Sequence, residues 1–273
     1  MPGAAEFFVC VPLCIASLYI KSGIAGTPAV SCGDKVMEEQ DYIKEQIELS
    51  RKISFENTVD LTKVRTVAGV DLAYWKEDGK EYAVCCIVVL DYRTHQVVER
   101  VSSMDEVSVP YIPGCLAFRE IPVFRKAYQK LENIPEVFFF DGNGYLHPRH
   151  MGLATHAGIL LDAASVGIAK TYYKVWDTDF IMPAQTEGAC TDIRIRGEVY
   201  GRVLRTHAGV KPVFVSTGNK IDLDTAVQMA RELTEKESHI PLPTRLADLM
   251  THEERRRLKE RVRSSISLPN GEN

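Results

Sequence analysis

The stretch VFFFDGNGYLHPRHMGLATHAG, residues 137–158, decides how the rest of the chain is read. Its apolar start reads as a buried strand, and the Asp-Gly that follows reads as a turn leaving the core. Asp141 is therefore expected where a strand ends. On open sheets that is where ligand loops and metal-binding carboxylates are built, although an Asp-Gly step also serves as an ordinary turn.

Upstream, RTVAGVDLAYW (65–75), KEYAVCCIVVLDY (80–92) and HQVVERVSSMDEV (95–107) are three strand-like runs separated by KEDGK and RTHQ, the pattern of an antiparallel meander. Before them MEEQDYIKEQIELSRKI (37–53) has apolar positions at roughly helical spacing, and after them FREIPVFRKAYQKLE (118–132) returns to it. Downstream, MGLATHAGILLDAAS (151–165) reads as a helix and VGIAKTYYKV (166–175) as a strand. RGEVYGRVLRT (196–206) and KPVFVSTG (211–218) read as strands, and DLDTAVQMARELTEK (222–236) as a helix. Three strands followed by alternating helices and strands predict an α/β fold, a mixed sheet with helices on its faces. HEERRRLKERVRSS (252–265) is charged nearly all round and reads as a solvated terminal helix.

A chain of 273 residues with 45% hydrophobic content can build one large domain. The organisation expected is an N-terminal extension over residues 1–34, a catalytic domain over 35–250 and a charged tail over 251–273. The net charge of −4 argues against a protein that coats nucleic acid indiscriminately, but a local basic groove fits within that total, so a nuclease is not excluded. Seven cysteines without a CxxC pair or zinc spacing predict reduced, intracellular thiols, hence a cytoplasmic or nuclear protein. The apolar segment FFVCVPLCIASLYI (7–20) is short for a membrane span, is broken by Pro12 and is preceded by an acid rather than by basic residues. An extension is preferred there, with a signal or anchor as the alternative, and no membrane partner is expected. No heptad repeat appears, which favours a monomer.

Acids are placed unusually in the strand-rich part. Asp71 interrupts the apolar run VAGVDLAY, where a carboxylate is costly unless it meets a cation or donors. Glu120 begins a helix, a position that also suits an acid for dipole reasons alone, and Asp141 ends the FFF strand. Three carboxylates from three elements are what a hard divalent ion such as magnesium needs.

At this point the residues match a known family. PYIPGCLAFRE (110–120), DGNGYLHPRHMGLATHAG (141–158), GIAKT (167–171), RGEVYGRVLRT, PVFVSTGN (212–219) and PLPTRLAD (241–248) occur in the order and approximate spacing of the endonuclease V family. The chain resembles that family over roughly residues 38–250. The resemblance implies an RNase H-like fold and a magnesium-dependent endonuclease, with manganese as a substitute. Its substrate would be inosine-containing single-stranded RNA or DNA, cut at the second phosphodiester bond 3′ to the modified base to leave a 3′-hydroxyl and a 5′-phosphate. Prokaryotic members are linked mainly to DNA repair and eukaryotic members to inosine in RNA; the ends and insertions here resemble the eukaryotic members and favour RNA.

Carried over by residue, the resemblance makes Asp71, Glu120 and Asp141 metal-binding carboxylates and Lys170 the lysine near the scissile phosphate. It makes the loop Pro110, Tyr111, Ile112 and Pro113 a strand-separating wedge, in which two prolines stiffen the backbone and Tyr111 fills the gap left by an extruded base. Gly114, Leu116 and Gly142 would shape the base pocket, and His147 and Arg149 would lie toward the phosphates. The family's later histidine is replaced by Asn219 in STGN. An amide oxygen can ligate magnesium but cannot titrate, so Asn219, Asp222 or Asp224 is expected to supply the remaining ligand. That substitution also keeps open a protein that recognises inosine with little or no cleavage, and a general metal phosphatase stands further off.

Overall fold

The structure, a computed structural model, describes residues 38–267. Helix α1 (Glu39–Ser50) precedes the meander β1 (Thr66–Glu77), β2 (Lys80–Asp91) and β3 (Val97–Glu106). Then follow α2 (Ala117–Tyr128), β4 (Val137–Asp141), α3 (Leu153–Leu161) and β5 (Ala164–Ala169). The chain continues through β6 (Cys190–Ile195), β7 (Glu198–Leu204), β8 (Val213–Asn219), α4 (Leu223–Glu232) and α5 (Leu242–Ser267). All eight strands form one mixed sheet in the order β3-β2-β1-β4-β5-β8-β7-β6. Strands β1, β4 and β5 run parallel, and their neighbours on both sides run antiparallel.

The phenylalanine run shows how the layers are made. Phe138 and Phe140 point to one face, where Phe124 of α2 meets them at ring separations of 6.3 and 5.3 Å. Phe139 points to the other and joins Val67, Val88 and Val166 with Ala226 and Met229 of α4 and Leu242 and Ala247 of α5. Period-two alternation with both faces apolar is what a strand covered by helices on two sides requires.

Helix α5 begins at Leu242, ten residues before the charged run, so the expected boundary at 250/251 falls inside it. Its charged half is not solvated all round: Leu258 and Val262 pack on Ala73, Trp75, Val84 and Cys86, and Arg263 pairs with Glu77 at 2.9 Å. β5 stops at Ala169 rather than continuing to Val175, and β6 was not expected. Among the described residues no helix is long and apolar enough to cross a membrane; the apolar segment 7–20 lies outside the described residues.

Candidate active site

Strand register brings the first two acids together. β1 and β4 pair in parallel up to Val70 and Phe140, and Asp71 and Asp141 are the next residue on each strand. Helix α5 then lays a third acid beside them. Its start can approach the sheet because β1 carries Gly69, where a Cβ would fall 1.9 Å from the Pro243 carbonyl oxygen. Asp71, Asp141 and Asp248 each present a carboxylate oxygen within 4.8 Å of the others. Lys170, just beyond β5, bridges two of them, with Nζ 2.6 Å from Asp141 Oδ2 and 2.8 Å from Asp248 Oδ1. Thr251, one turn along α5, donates its hydroxyl to Asp71 Oδ2. Glu120 in the first turn of α2 is buried and accepts from the Tyr74 hydroxyl at Oε1, 3.1 Å away, facing the same cleft but outside the close-set trio.

The electrostatics of this arrangement are strained. Burial, reinforced by Asp141 and Asp248 and opposed by the Thr251 hydrogen bond and Lys170, pushes Asp71 up to about 7. Burial, with Asp71 and Asp141 adding to it against the Tyr74 hydrogen bond, pushes Glu120 up to about 8. Asp141 is raised by burial against the opposing pull of Lys170. For Lys170 burial acts against the charge, but its bonds to Asp141 and Asp248 outweigh that and hold its pKa above the ordinary value. Three acids thus share one ammonium in a poorly solvated place, with Glu120 and the Arg119 charge beside it. An all-carboxylate donor set with unbalanced negative charge fits a hard divalent cation, and the ammonium between Asp141 and Asp248 already marks a place for positive charge.

A cleft of about 220 Å³ adjoins the acids, lined by Tyr111, Gly114, Leu116 and Gly142 together with Glu120 and Asp141. Tyr111 stands at its mouth, 68% exposed. The loop that carries it is pinned at both ends. Arg119 Nη1 donates to the Val109 carbonyl at 2.9 Å. At the other end the Gly114 carbonyl accepts from Gln46 Nε2 at 2.9 Å, from Arg149 Nη2 at 2.9 Å and from His147 Nε2 at 3.0 Å. His147 Nδ1 in turn accepts the backbone N–H groups of Arg149 and Met151 at 3.2 and 3.3 Å, which fixes the proton on Nε2. Burial, and then the Arg149 charge, depress its pKa to about 3, so the ring is neutral. Gly114 has φ +75°, which favours glycine, and a Cβ there would also crowd the Arg149 guanidinium at 2.9 Å.

The endonuclease V family model matches residues 47–249. The chain belongs to the endonuclease V family. It is 52% identical over 221 residues to the endonuclease V of Bacillus thuringiensis subsp. konkukian, covering 81% of this chain and 94% of that one. The crystal structure of the Bacillus subtilis enzyme superposes with a TM-score of 0.80 at 51% identity, over 83% of this chain and 95% of that one. That of Ciona intestinalis endonuclease V, in complex with DNA containing an inosine followed by a ribo-adenosine, gives 0.71 at 29%, over 81% of this chain and 100% of that one. The expected RNase H-like fold is thus the fold observed. The two bacterial relatives are more similar than the animal one, so the eukaryote-like reading of the ends and insertions gains no support.

Within the endonuclease V frame, the expected residues Asp71, Asp141, Glu120 and Lys170 converge, and Tyr111, Gly114, Leu116 and Gly142 share the adjoining cleft. Asn219 is elsewhere. It lies opposite Ser165 at the start of β5, away from the strand end that carries Asp141. It is 3% exposed, and both ends of its amide are used: Oδ1 accepts from Ser54 N at 2.9 Å and Nδ2 donates to the Gly158 carbonyl at 3.1 Å. Asp222 caps α4 through Thr225, and Asp224 pairs with Arg202. The third carboxylate is Asp248, within the quoted motif PLPTRLAD but given no role in the sequence reading. His147 and Arg149, expected toward phosphates, are committed instead to the Gly114 carbonyl.

Proposed function

We propose that this endonuclease V is a magnesium-dependent enzyme, with manganese as a substitute, that acts as a monomer on single-stranded RNA containing inosine or DNA containing deoxyinosine. It cuts the second phosphodiester bond on the 3′ side and leaves a 3′-hydroxyl and a 5′-phosphate. The observation that carries this reading is the trio Asp71, Asp141 and Asp248 within 4.8 Å, opening onto a cleft guarded by Tyr111. Asp71, Asp141 and Asp248 are the residues that hold the cation, which when bound supplies Lewis acidity to the scissile phosphate and its attacking water. Glu120, anchored at Oε1 by Tyr74 and facing the same cleft, supplies a fourth carboxylate to the cation site. Lys170 offsets charge on the phosphate as it passes through the transition state.

Tyr111 stacks in the gap left by the extruded base, recovering part of an unstacking cost of a few kcal/mol, while Gly114, Leu116 and Gly142 let the backbone close on the base. That Asn219 is engaged by Ser54 and Gly158 while Asp248 stands beside the other acids supports cleavage over inosine recognition alone. The test is a panel of single-inosine oligonucleotides, single-stranded DNA, duplex DNA and RNA, each with magnesium, manganese or chelator. Nicking beside inosine that needs the metal and is lost in Asp71→Ala and Asp141→Ala is expected. Intact strands under every condition would reject the proposal.

A further inference from the structure

The loop that follows Lys170 leads away from the cleft over a surface the reaction does not use. Tyr173 lines the cleft and lies parallel to the His147 ring, 6.0 Å and 6° apart. Val175 is then fully buried against the cluster that contains Leu146, Ile193 and Phe214, which anchors the loop. The next residue, Trp176, turns outward and is 53% exposed. Trp176 and Asp177 both have positive φ, 51° and 54°. Bulky side chains rarely adopt that conformation, and such strain persists where the surroundings impose it.

The surroundings here hold the indole in one pose. The Tyr200 side chain lies beside it. Arg196, itself at φ +53° in the β6–β7 turn, sets its guanidinium 4.8 Å from the indole centroid. Tyr200 lies 4.8 Å from the His150 ring, which stacks on Tyr145 at 3.9 Å. Tyr145 belongs to the DGNGY loop that begins at Asp141, so the rings packed beside Trp176 are tied to that loop. The nearby acid Glu198 is engaged by the Tyr145 hydroxyl.

We infer that Trp176, backed by Arg196 and Tyr200, is a stacking platform for unpaired nucleotides flanking the base held in the cleft, an inference that rests on the nucleic-acid reading above. A rigid indole paired with a guanidinium suits a strand that offers base faces and phosphates together. The position suits it too, because the same strand already enters the cleft beside Tyr173. A bare apolar patch would fit a protein partner equally, but the guanidinium over the indole and the continuity with the cleft favour the strand.

The chain has two tryptophans, and Trp75 is 6% exposed, so fluorescence quenching reports Trp176. The wild-type protein in chelator is titrated with single-stranded inosine oligonucleotides, one just spanning the cleft and one with long flanks on both sides. The long strand is expected to quench the emission and to bind more tightly than the short one. Trp176→Ala should cut that length advantage by about tenfold, within the range of one stacked base, and Trp176→Phe should restore most of it. Thermal melts of both variants verify folding. Equal affinity for the two lengths in the wild type, or an unchanged length advantage in a folded Trp176→Ala, overturns the platform. A wild type that binds and quenches yet never nicks with magnesium overturns the nuclease reading and leaves the platform standing.

Discussion

Asp248 is the residue whose role changed most between sequence and structure, and it yields the sharpest substitution test. Asp248→Ala is expected to abolish metal-dependent nicking as completely as Asp71→Ala, whereas Asn219→Ala should act on stability. Truncating Asn219 leaves Ser54 N without its acceptor and removes one donor to the Gly158 carbonyl, a loss of about 1–3 kcal/mol; nicking assays and denaturant melts on the two variants separate these outcomes. A second test concerns the triple donation to the Gly114 carbonyl. Gln46→Leu and Arg149→Met each remove a donor to the loop that carries Tyr111, so KM for an inosine strand should rise by roughly an order of magnitude, on the scale of one hydrogen bond, with a smaller change in kcat. Steady-state kinetics check the split. Asp71 and Asp141 were legible in the sequence because an acid inside or at the end of an apolar strand demands a partner. Asp248 was not, since an acid on a helix reads as surface. His147 and Arg149 read as phosphate ligands because only the fold shows that one carbonyl already takes both.

At the scale of elements, the meander, the buried FFF strand and helices α2, α3 and α4 were legible from periodicity. The misses have physical causes. β6 is a six-residue strand with partly exposed polar positions, so no apolar run marks it as β4 and β5 are marked. The first turns of α5 carry Pro243, which reads as a break but is tolerated in the first turn of a helix. The seating of α5 on β1 is where this scale governs chemistry. Gly69→Ala would drive a methyl into the Pro243 carbonyl and push away the helix that carries Asp248 and Thr251. Overpacking of this kind costs about 1–3 kcal/mol, and displacement of Asp248 should remove nicking as well. A lowered melting temperature together with lost activity is the expected result, read by calorimetry and the inosine nicking assay.

For the molecule as a whole, the acids make stability depend on pH, and on the proposed function on the cation as well. Asp71 and Glu120 titrate at about 7 and about 8 in the folded chain, above their ordinary values. Between the unfolded and folded pKa values the native state binds more protons, so this contribution is full at low pH and is lost as pH rises through 7 to 8. His147 and His156, held neutral by burial with pKa values of about 3 and about 4, act in the opposite direction, and their contribution fades as pH falls below about 6.5. Magnesium competes with protons for the carboxylates, so it should raise the melting temperature more at pH 8 than at pH 6. Asp71→Asn should erase most of that difference, as differential scanning calorimetry with and without chelator would reveal.

The ammonium of Lys170 between Asp141 and Asp248 gives the folded chain an internal counter-ion. With that counter-ion the fold does not require a divalent ion to form, and on the proposed function a chelator is expected to stop nicking without unravelling the protein. Were Asp141 and Asp248 to hold a cation, Lys170 would be released from them and free to meet a substrate phosphate.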